Sequence, residues 1–155
     1  MVGLGPEIFP RVQLVAVPYA MKVATVDGSA GGTLDGEVTI TEKLAVGENS
    51  SNEGKGAVAI GEENVADYDY SAVMGGQYNE ARAHYASVVG GSGNIINGQY
   101  GFIGGGLANI VDGFGGFVAA GNSNYAIGDF SFAVGNQARA LHNGSIVLAA
   151  NDCPT

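Results

Sequence analysis

Two kinds of side chain in this sequence could take part in acid–base or metal chemistry: the histidines and a group of carboxylates. His84 and His142 could each act as a general base or as a metal ligand, because an imidazole titrates near neutral pH. They fall at non-equivalent positions of the repeat described below, so the sequence does not bring them together. We expect both to be solvated loop residues.

Four carboxylates that could attract calcium lie close together: Glu62, Glu63, Asp67 and Asp69. A calcium loop places its ligands at regular alternate positions around a glycine, and this group lacks that pattern. The segment 90–94 (GGSGN) is superficially similar to calcium-binding nonapeptide repeats, but the repeat in this sequence has a period of 15 residues and not nine. We expect these carboxylates to solubilise one end of the fold, with a calcium site as the alternative. The sequence predicts no metal and no cofactor.

The elements that would position any site come from a short repeated phrase of one small residue, three mostly apolar residues and a glycine or alanine. Its starts are separated by 14 or 15 residues. The copies are AVAIG (57–61), SAVMG (71–75), ASVVG (86–90), GFIGG (101–105), GFVAA (116–120), SFAVG (131–135) and SIVLA (145–149). Self-similarity at a fixed short period is typical of a solenoid in which each repeat forms one coil.

Several residue types recur in phase with the phrase, which predicts that they stack in columns with a spacing of about 4.8 Å. Stacked amides can hydrogen-bond along the column, stacked rings can pack face to face, and glycine suits a corner with positive φ. The predicted columns are Asn64, Asn79, Asn94, Asn109 and Asn124; Gly61, Gly76, Gly91, Gly106, Gly121 and Gly135; Phe102, Phe117 and Phe132; and Tyr70, Tyr85, Tyr100 and Phe130.

A period of 15 residues allows two strands of about five residues, ~17 Å each, and two tight corners. The sequence therefore predicts an all-β fold, a parallel β-roll or solenoid of about seven coils with one thin internal layer of side chains. Consecutive positions of the phrase are apolar, as in parallel strands that are covered on both faces. The second strand of a coil covers only one of these faces, so we expect a homo-oligomer closed by symmetry.

The phrases SFAVG (131–135) and AVAIG (57–61), with the Gly/Asn–Ala turns that follow them, resemble the head repeats of trimeric autotransporter adhesins. The resemblance covers about residues 55–150 and implies a YadA-like head, which is a left-handed parallel β-roll of 14–15-residue coils assembled as a homotrimer. The hand and the number three rest on the resemblance alone. GFIGG and GFVAA depart from the family's usual Ser-Val-Ala-Ile-Gly, and no neck, stalk or anchor motif accompanies them. We therefore do not extend to this chain the collagen binding known for one branch of the family.

The sequence divides into four segments. They are an N-terminal connector (1–32), a short strand or hairpin and loop that cap the roll (33–54), the β-roll repeats (55–150) and a C-terminal tail (151–155). Residues 11–28 of the connector resemble a lead-in seen before the repeats of bacterial surface proteins and phage-tail-like fibres. A lone Cys153 cannot form an internal disulfide, and a disulfide between subunits is the alternative.

Charge and residue composition argue against several classes of partner and of enzyme. A net charge of −9 argues against nucleic acid and against anionic membranes as partners. A hexapeptide-repeat acyltransferase requires a period in multiples of six, a carbohydrate-cleaving β-helix requires paired carboxylates, and an ice-binding solenoid requires a threonine ladder. The period of 15 does not fit the first class, the repeats after Ala86 contain almost no carboxylates, and every threonine lies outside the coils, so we predict that the protein is not an enzyme.

We predict a homotrimeric, extracellular surface-fibre module for structural display and adhesion, located at a cell surface or in a virion fibre and forming a fragment of a longer chain. Its expected partners are further copies of itself and a host matrix protein or surface glycan, with no nucleic acid and no direct membrane insertion. The alternatives are a receptor-binding segment of a phage or injection-system tail fibre and a pure filament scaffold.

Overall fold

The computed structural model describes residue 40 and residues 42–150, and every regular element among them is a β-strand. None of these residues forms a helix with the length and hydropathy of a membrane span. The predicted connector, the tail with Cys153 and part of the predicted strand or hairpin and loop (33–54) lie outside the described residues.

In the described part of the chain, fourteen short strands form two sheets whose members alternate in sequence. The eight-stranded sheet contains, in spatial order, β1 (Leu44–Val46), β2 (Val58–Ile60), β4 (Ala72–Val73), β6 (Ser87–Val88), β8 (Phe102–Ile103), β10 (Phe117–Asn122), β12 (Phe132–Asn136) and β14 (Ile146–Ala149). The six-stranded sheet contains β3 (Val65–Ala66), β5 (Glu80–Ala81), β7 (Ile95–Ile96), β9 (Ile110–Val111), β11 (Tyr125–Ala126) and β13 (Arg139–Ala140).

Every strand except the last one of each sheet pairs in parallel with the strand one coil further along the chain. Ser87 pairs with Phe102 in the eight-stranded sheet, and Ile95 pairs with Ile110 in the six-stranded sheet. The register offset therefore equals the repeat period, and equivalent residues of successive repeats lie in columns. The chain is an all-β parallel solenoid of about seven coils of roughly 15 residues, as the sequence predicts.

The strands are shorter than predicted. The sequence analysis expected two strands of about five residues in each coil, whereas most strands contain two residues and only β10 and β12 reach five or six. The backbone ladder is interrupted at the asparagine column, where the backbone N–H of Asn94 donates to Oδ1 of Asn79 (3.1 Å) instead of to a carbonyl. Side-chain hydrogen bonds thus replace part of the sheet.

The stacked strands begin ahead of the first repeat phrase. β1 pairs in parallel with β2, with Leu44 opposite Val58, and a parallel bridge joins Ser51 to Val65. Both halves of a coil are therefore already present between residues 44 and 56. This segment offers β2 and β3 the backbone partners that an end coil otherwise lacks.

The core is a single layer of side chains between the two sheets. Val88, Ile103 and Val118 point inward from the eight-stranded sheet, and Ile96 and Val111 point inward from the other, all fully buried. Alanine takes most of the remaining inward positions. A roll with one internal layer of side chains encloses little apolar volume, so its stability depends heavily on hydrogen bonding along the stack.

The predicted glycine column forms a corner at which all six members have positive φ, from 86° at Gly76 to 123° at Gly121. A Cβ on Gly91 would lie 2.7 Å from the backbone nitrogen of Gly106 and 2.8 Å from Nδ2 of Asn94. Both the left-handed conformation and the close approach of the next coil therefore require glycine here.

We expect Gly91→Val to lower the free energy of unfolding by about 3 kcal/mol or more, because it combines backbone strain with a clash against the next coil. The neighbouring Gly90 is the matched control, since φ is not positive there and a Cβ would meet nothing within 4 Å. Gly90→Ala should unfold with nearly wild-type stability in a denaturant titration. Equal destabilisation by the two variants would contradict the assignment of the corner.

Candidate interaction surfaces

The five asparagines of the predicted column, Asn64 to Asn124, lie directly above one another and are fully buried. Each Nδ2 from Asn79 onward donates to Oδ1 of the asparagine one coil earlier, at 2.9 to 3.3 Å. Nδ2 of Asn94 also donates to the carbonyls of Gly90 (3.1 Å) and Gly106 (3.0 Å). Each amide therefore joins three coils.

The column has two ends that the asparagine pattern does not reveal. Oγ of Ser50 accepts the backbone N–H of Asn64 (3.3 Å) and donates to the carbonyl of Gly61 (3.0 Å). At the opposite end the backbone N–H of Ala138 donates to Oδ1 of Asn124 (2.9 Å). The last Oδ1 is satisfied by backbone alone, so an alanine can stand at the position where the repeat predicts an asparagine.

The two aromatic columns differ in geometry. Phe102, Phe117 and Phe132 stack face to face, with ring centroids 4.9 and 5.2 Å apart. The second set, which we call the aromatic column, is exposed and lies at the corner that precedes the eight-stranded sheet. It consists of Tyr70, Tyr85, Tyr100, Phe114 and Phe130.

The face-to-face expectation fails for Phe130. The three tyrosines are stacked at 5.0 and 5.1 Å, but Phe130 contacts Phe114 edge-on at 5.4 Å. The corner residue one coil earlier is Gly115, and the ring is supplied by the preceding Phe114. Because the ring of Phe114 starts from a different backbone position, it does not lie flat on its neighbours. Its contacts with Tyr100 and Phe130 are both T-shaped.

The outer side of the eight-stranded sheet is an uncharged surface, which we call the apolar face. In each repeat phrase the middle residue, such as Val88, points inward and its neighbours point outward. Of these outward residues only Ser87 is polar. The apolar face comprises Val58, Ile60, Ala72, Met74, Ser87, Val89, Phe102, Gly104, Phe117, Ala119, Phe132, Val134, Ile146 and Leu148.

The outer side of the six-stranded sheet is polar by comparison. It carries an ion pair between Arg82 and Glu80. Nδ2 of Asn97 donates to Oδ1 of Asp112 (2.8 Å) one coil further along. The two sides of the roll thus differ in charge although both sheets come from the same repeat.

The residues that could have done acid–base or metal chemistry are not brought together. His84 is half-buried, with its ring edge-on to Tyr68 at 5.3 Å, whereas His142 is exposed in a different column above Gly128. Asp69 accepts the backbone N–H of Lys55 (2.9 Å) and acts as a turn residue. Across residues 42–150 no three His, Cys, Asp or Glu side chains converge as metal ligands would.

No family model matches the chain, and no curated protein matches it.

We expect Asn94→Asp to destabilise the protein by about 3 kcal/mol or more, because a buried carboxylate oxygen would replace the NH2 group and face three acceptor oxygens with no hydrogen to donate. Asn122→Asp is the control, because that side chain is exposed and lies outside the column. Thermal melts of the two variants at neutral pH would compare them. A wild-type melting temperature for Asn94→Asp would exclude an essential role for the amide column.

Proposed function

We propose that this chain is a non-enzymatic structural module of an extracellular fibre, that it assembles with two further copies of itself, and that the fibre serves adhesion to a cell or host surface. The observation that carries this proposal is the apolar face. It belongs to one sheet only, contains no charge and continues through all seven repeats.

The extent of the apolar face supports self-association. Six strand spacings of about 4.8 Å make it about 29 Å long. Soluble monomers scatter exposed apolar residues singly, whereas a continuous patch marks an interface. Ile146 and Leu148, at one end of the face, are 72% and 73% exposed. Burial of such a face between copies would remove its apolar area from water, which is the main favourable contribution to assembly.

The aromatic column extends this surface around the corner. Tyr100 precedes Phe102 of the apolar face by two residues, and its side chain is 53% exposed. Tyr70, Tyr85 and Tyr100 all have positive φ, between 58° and 61°, which is unfavourable for a bulky residue. Strain of this kind is tolerated where it is compensated, and ring contacts along the column and with another copy would compensate it.

The opposite side of the roll suits exposure on a fibre. Its ion pair and its Asn97–Asp112 hydrogen bond are compatible with solvent, and a net charge of −9 on each chain favours solubility of the assembly. The number three is taken from the resemblance of residues 55–150 to trimeric autotransporter heads. A closed ring of three would bury the apolar face of every copy equivalently.

The same architecture would serve a receptor-binding segment of a tail fibre or a filament scaffold without a ligand. The resemblance of residues 11–28 to a fibre lead-in favours the first of these alternatives. Saturable binding to a host matrix protein or host-cell glycan supports the adhesin, binding to a bacterial surface glycan supports the tail fibre, and no saturable binding supports the scaffold.

Light scattering tests the assembly. Three copies of a 15.6-kDa chain give about 47 kDa, and we expect this mass to persist on dilution. Val89→Glu should shift the protein toward 15.6 kDa, because it places a charge in the proposed interface. Leu141→Glu is a matched control on the outer side of the six-stranded sheet, because Val89 and Leu141 are both 47% exposed. It should leave the mass unchanged.

A folded wild-type species of 15.6 kDa at all concentrations would overturn the proposed assembly. Dissociation caused by Leu141→Glu and not by Val89→Glu would show that the copies meet through the other sheet. Since both residues are exposed in the single chain, neither substitution should unfold it, and circular dichroism of each variant checks this.

A further inference from the structure

A small pocket of about 290 Å³ opens on the outer side of the six-stranded sheet. Its lining consists of four polar side chains from two successive coils, Ser123 and Tyr125 in one and Gln137 and Arg139 in the next. Tyr125 and Arg139 are register partners in strands β11 and β13, so their side chains are adjacent along the stack.

Arg139 is the only cation between Ala86 and Ala150. Its guanidinium lies over the ring of Tyr125, 5.1 Å from the centroid, and its side chain is exposed. The ring orders the guanidinium through a cation–π contact without using its N–H groups, which lie in the guanidinium plane.

A second arginine, Arg82, lies on the same side of the roll near its other end and has a different electrostatic partner. Arg82 is paired with the carboxylate of Glu80. Among residues 42–150 Arg139 has no carboxylate partner. The protein therefore carries two arginines on one sheet, one neutralised by its own chain and one with its donors available.

We propose that the pocket around Arg139 is a binding site for the carboxylate of an acidic saccharide. A guanidinium presents two parallel N–H donors that match the two oxygens of a carboxylate. The neutral groups around it suit sugar hydroxyls: the Gln137 amide both donates and accepts, and Oγ of Ser123, which donates to Oδ1 of Asn122 (3.0 Å), can still accept. This inference names the ligand class of the adhesive function proposed above and rests on it.

The composition of the pocket favours a saccharide over an acidic peptide or a nucleic acid. One cation among three uncharged polar side chains matches a ligand with one carboxylate among many hydroxyls. A nucleic acid, which carries one charge on every phosphate, would meet the overall charge of −9 without a basic surface to offset it. The pocket lies on the side opposite the apolar face, so it stays open when copies associate through that face.

A single exposed arginine–carboxylate pair binds weakly, and the fibre would strengthen binding through repetition. Every copy in an assembly presents one such pocket, and sites that engage a polymeric glycan together gain avidity without any new contact. Binding by the assembled protein should therefore be much stronger for a polymer than for a short fragment.

Binding can be measured by ligand-observed NMR and by retention on immobilised glycans, with three probes: a hyaluronan tetrasaccharide that carries uronate, 3′-sialyllactose that carries sialate, and neutral lactose. We expect saturable binding of at least one acidic probe and none of lactose. Arg139→Gln should weaken that binding about tenfold or more, since it removes the charge and the bidentate pair. Arg82→Gln, on the same sheet, should leave it unchanged.

Several results would overturn the inference: equal binding of lactose, equal loss in Arg82→Gln, unchanged binding in Arg139→Gln, or preference for an acidic peptide offered at the same concentration. The molecular mass of every sample in solution is first measured by light scattering. Absence of saccharide binding in an assembled wild-type protein counts against this site alone, whereas a monomeric wild-type protein counts against the proposed assembly.

Discussion

The buried asparagine column is the interaction on which the rest of the roll depends. A coil of 15 residues encloses too little apolar volume for a thick core, so the coils must be joined by hydrogen bonds that repeat at the strand spacing. Each internal amide, such as that of Asn94, accepts from the next coil and donates to the previous one. The column fixes the register, and the register in turn aligns the glycine corner, the rings and the inward valines.

In-register stacking also explains the difference between the two sides of the roll. A charged residue at the same position of every coil would lie about 4.8 Å from the equivalent like charge in the next coil. A column can therefore carry a charge only where successive residues differ. On the eight-stranded sheet the repeat phrase is kept, and its outer side stays uncharged. On the six-stranded sheet the outward positions vary from Glu80 to Ile95 to Tyr125 to Arg139, and a polar surface results.

The sequence is sufficient to predict the period, the two-sided coil and the asparagine and glycine columns, because those positions demand one residue type. It does not reveal the other corner positions. Tyr85, Tyr100 and Ala108 have φ between 52° and 61°, yet neither tyrosine nor alanine signals a left-handed conformation, and only the glycines at equivalent positions, such as Gly93 and Gly115, hint at it. Nor does the asparagine pattern predict the two ends of the amide column, where Oγ of Ser50 accepts the backbone N–H of Asn64 and the backbone N–H of Ala138 donates to the last Oδ1.

A solenoid this regular leaves few places for recognition. A side chain that is repeated in every coil serves the stack, because its neighbours above and below occupy its contacts: the rings of Phe117 and Tyr85 have both faces covered by other rings. A group becomes available to a ligand where the column changes its residue type. Arg139 is such a position, since it follows hydrophobic Ile110 and aromatic Tyr125 in its column and lies in the last coil of its sheet. A column that keeps one residue type therefore has a structural role. A binding site should be sought on the polar side, at a position where the residue type changes along a column.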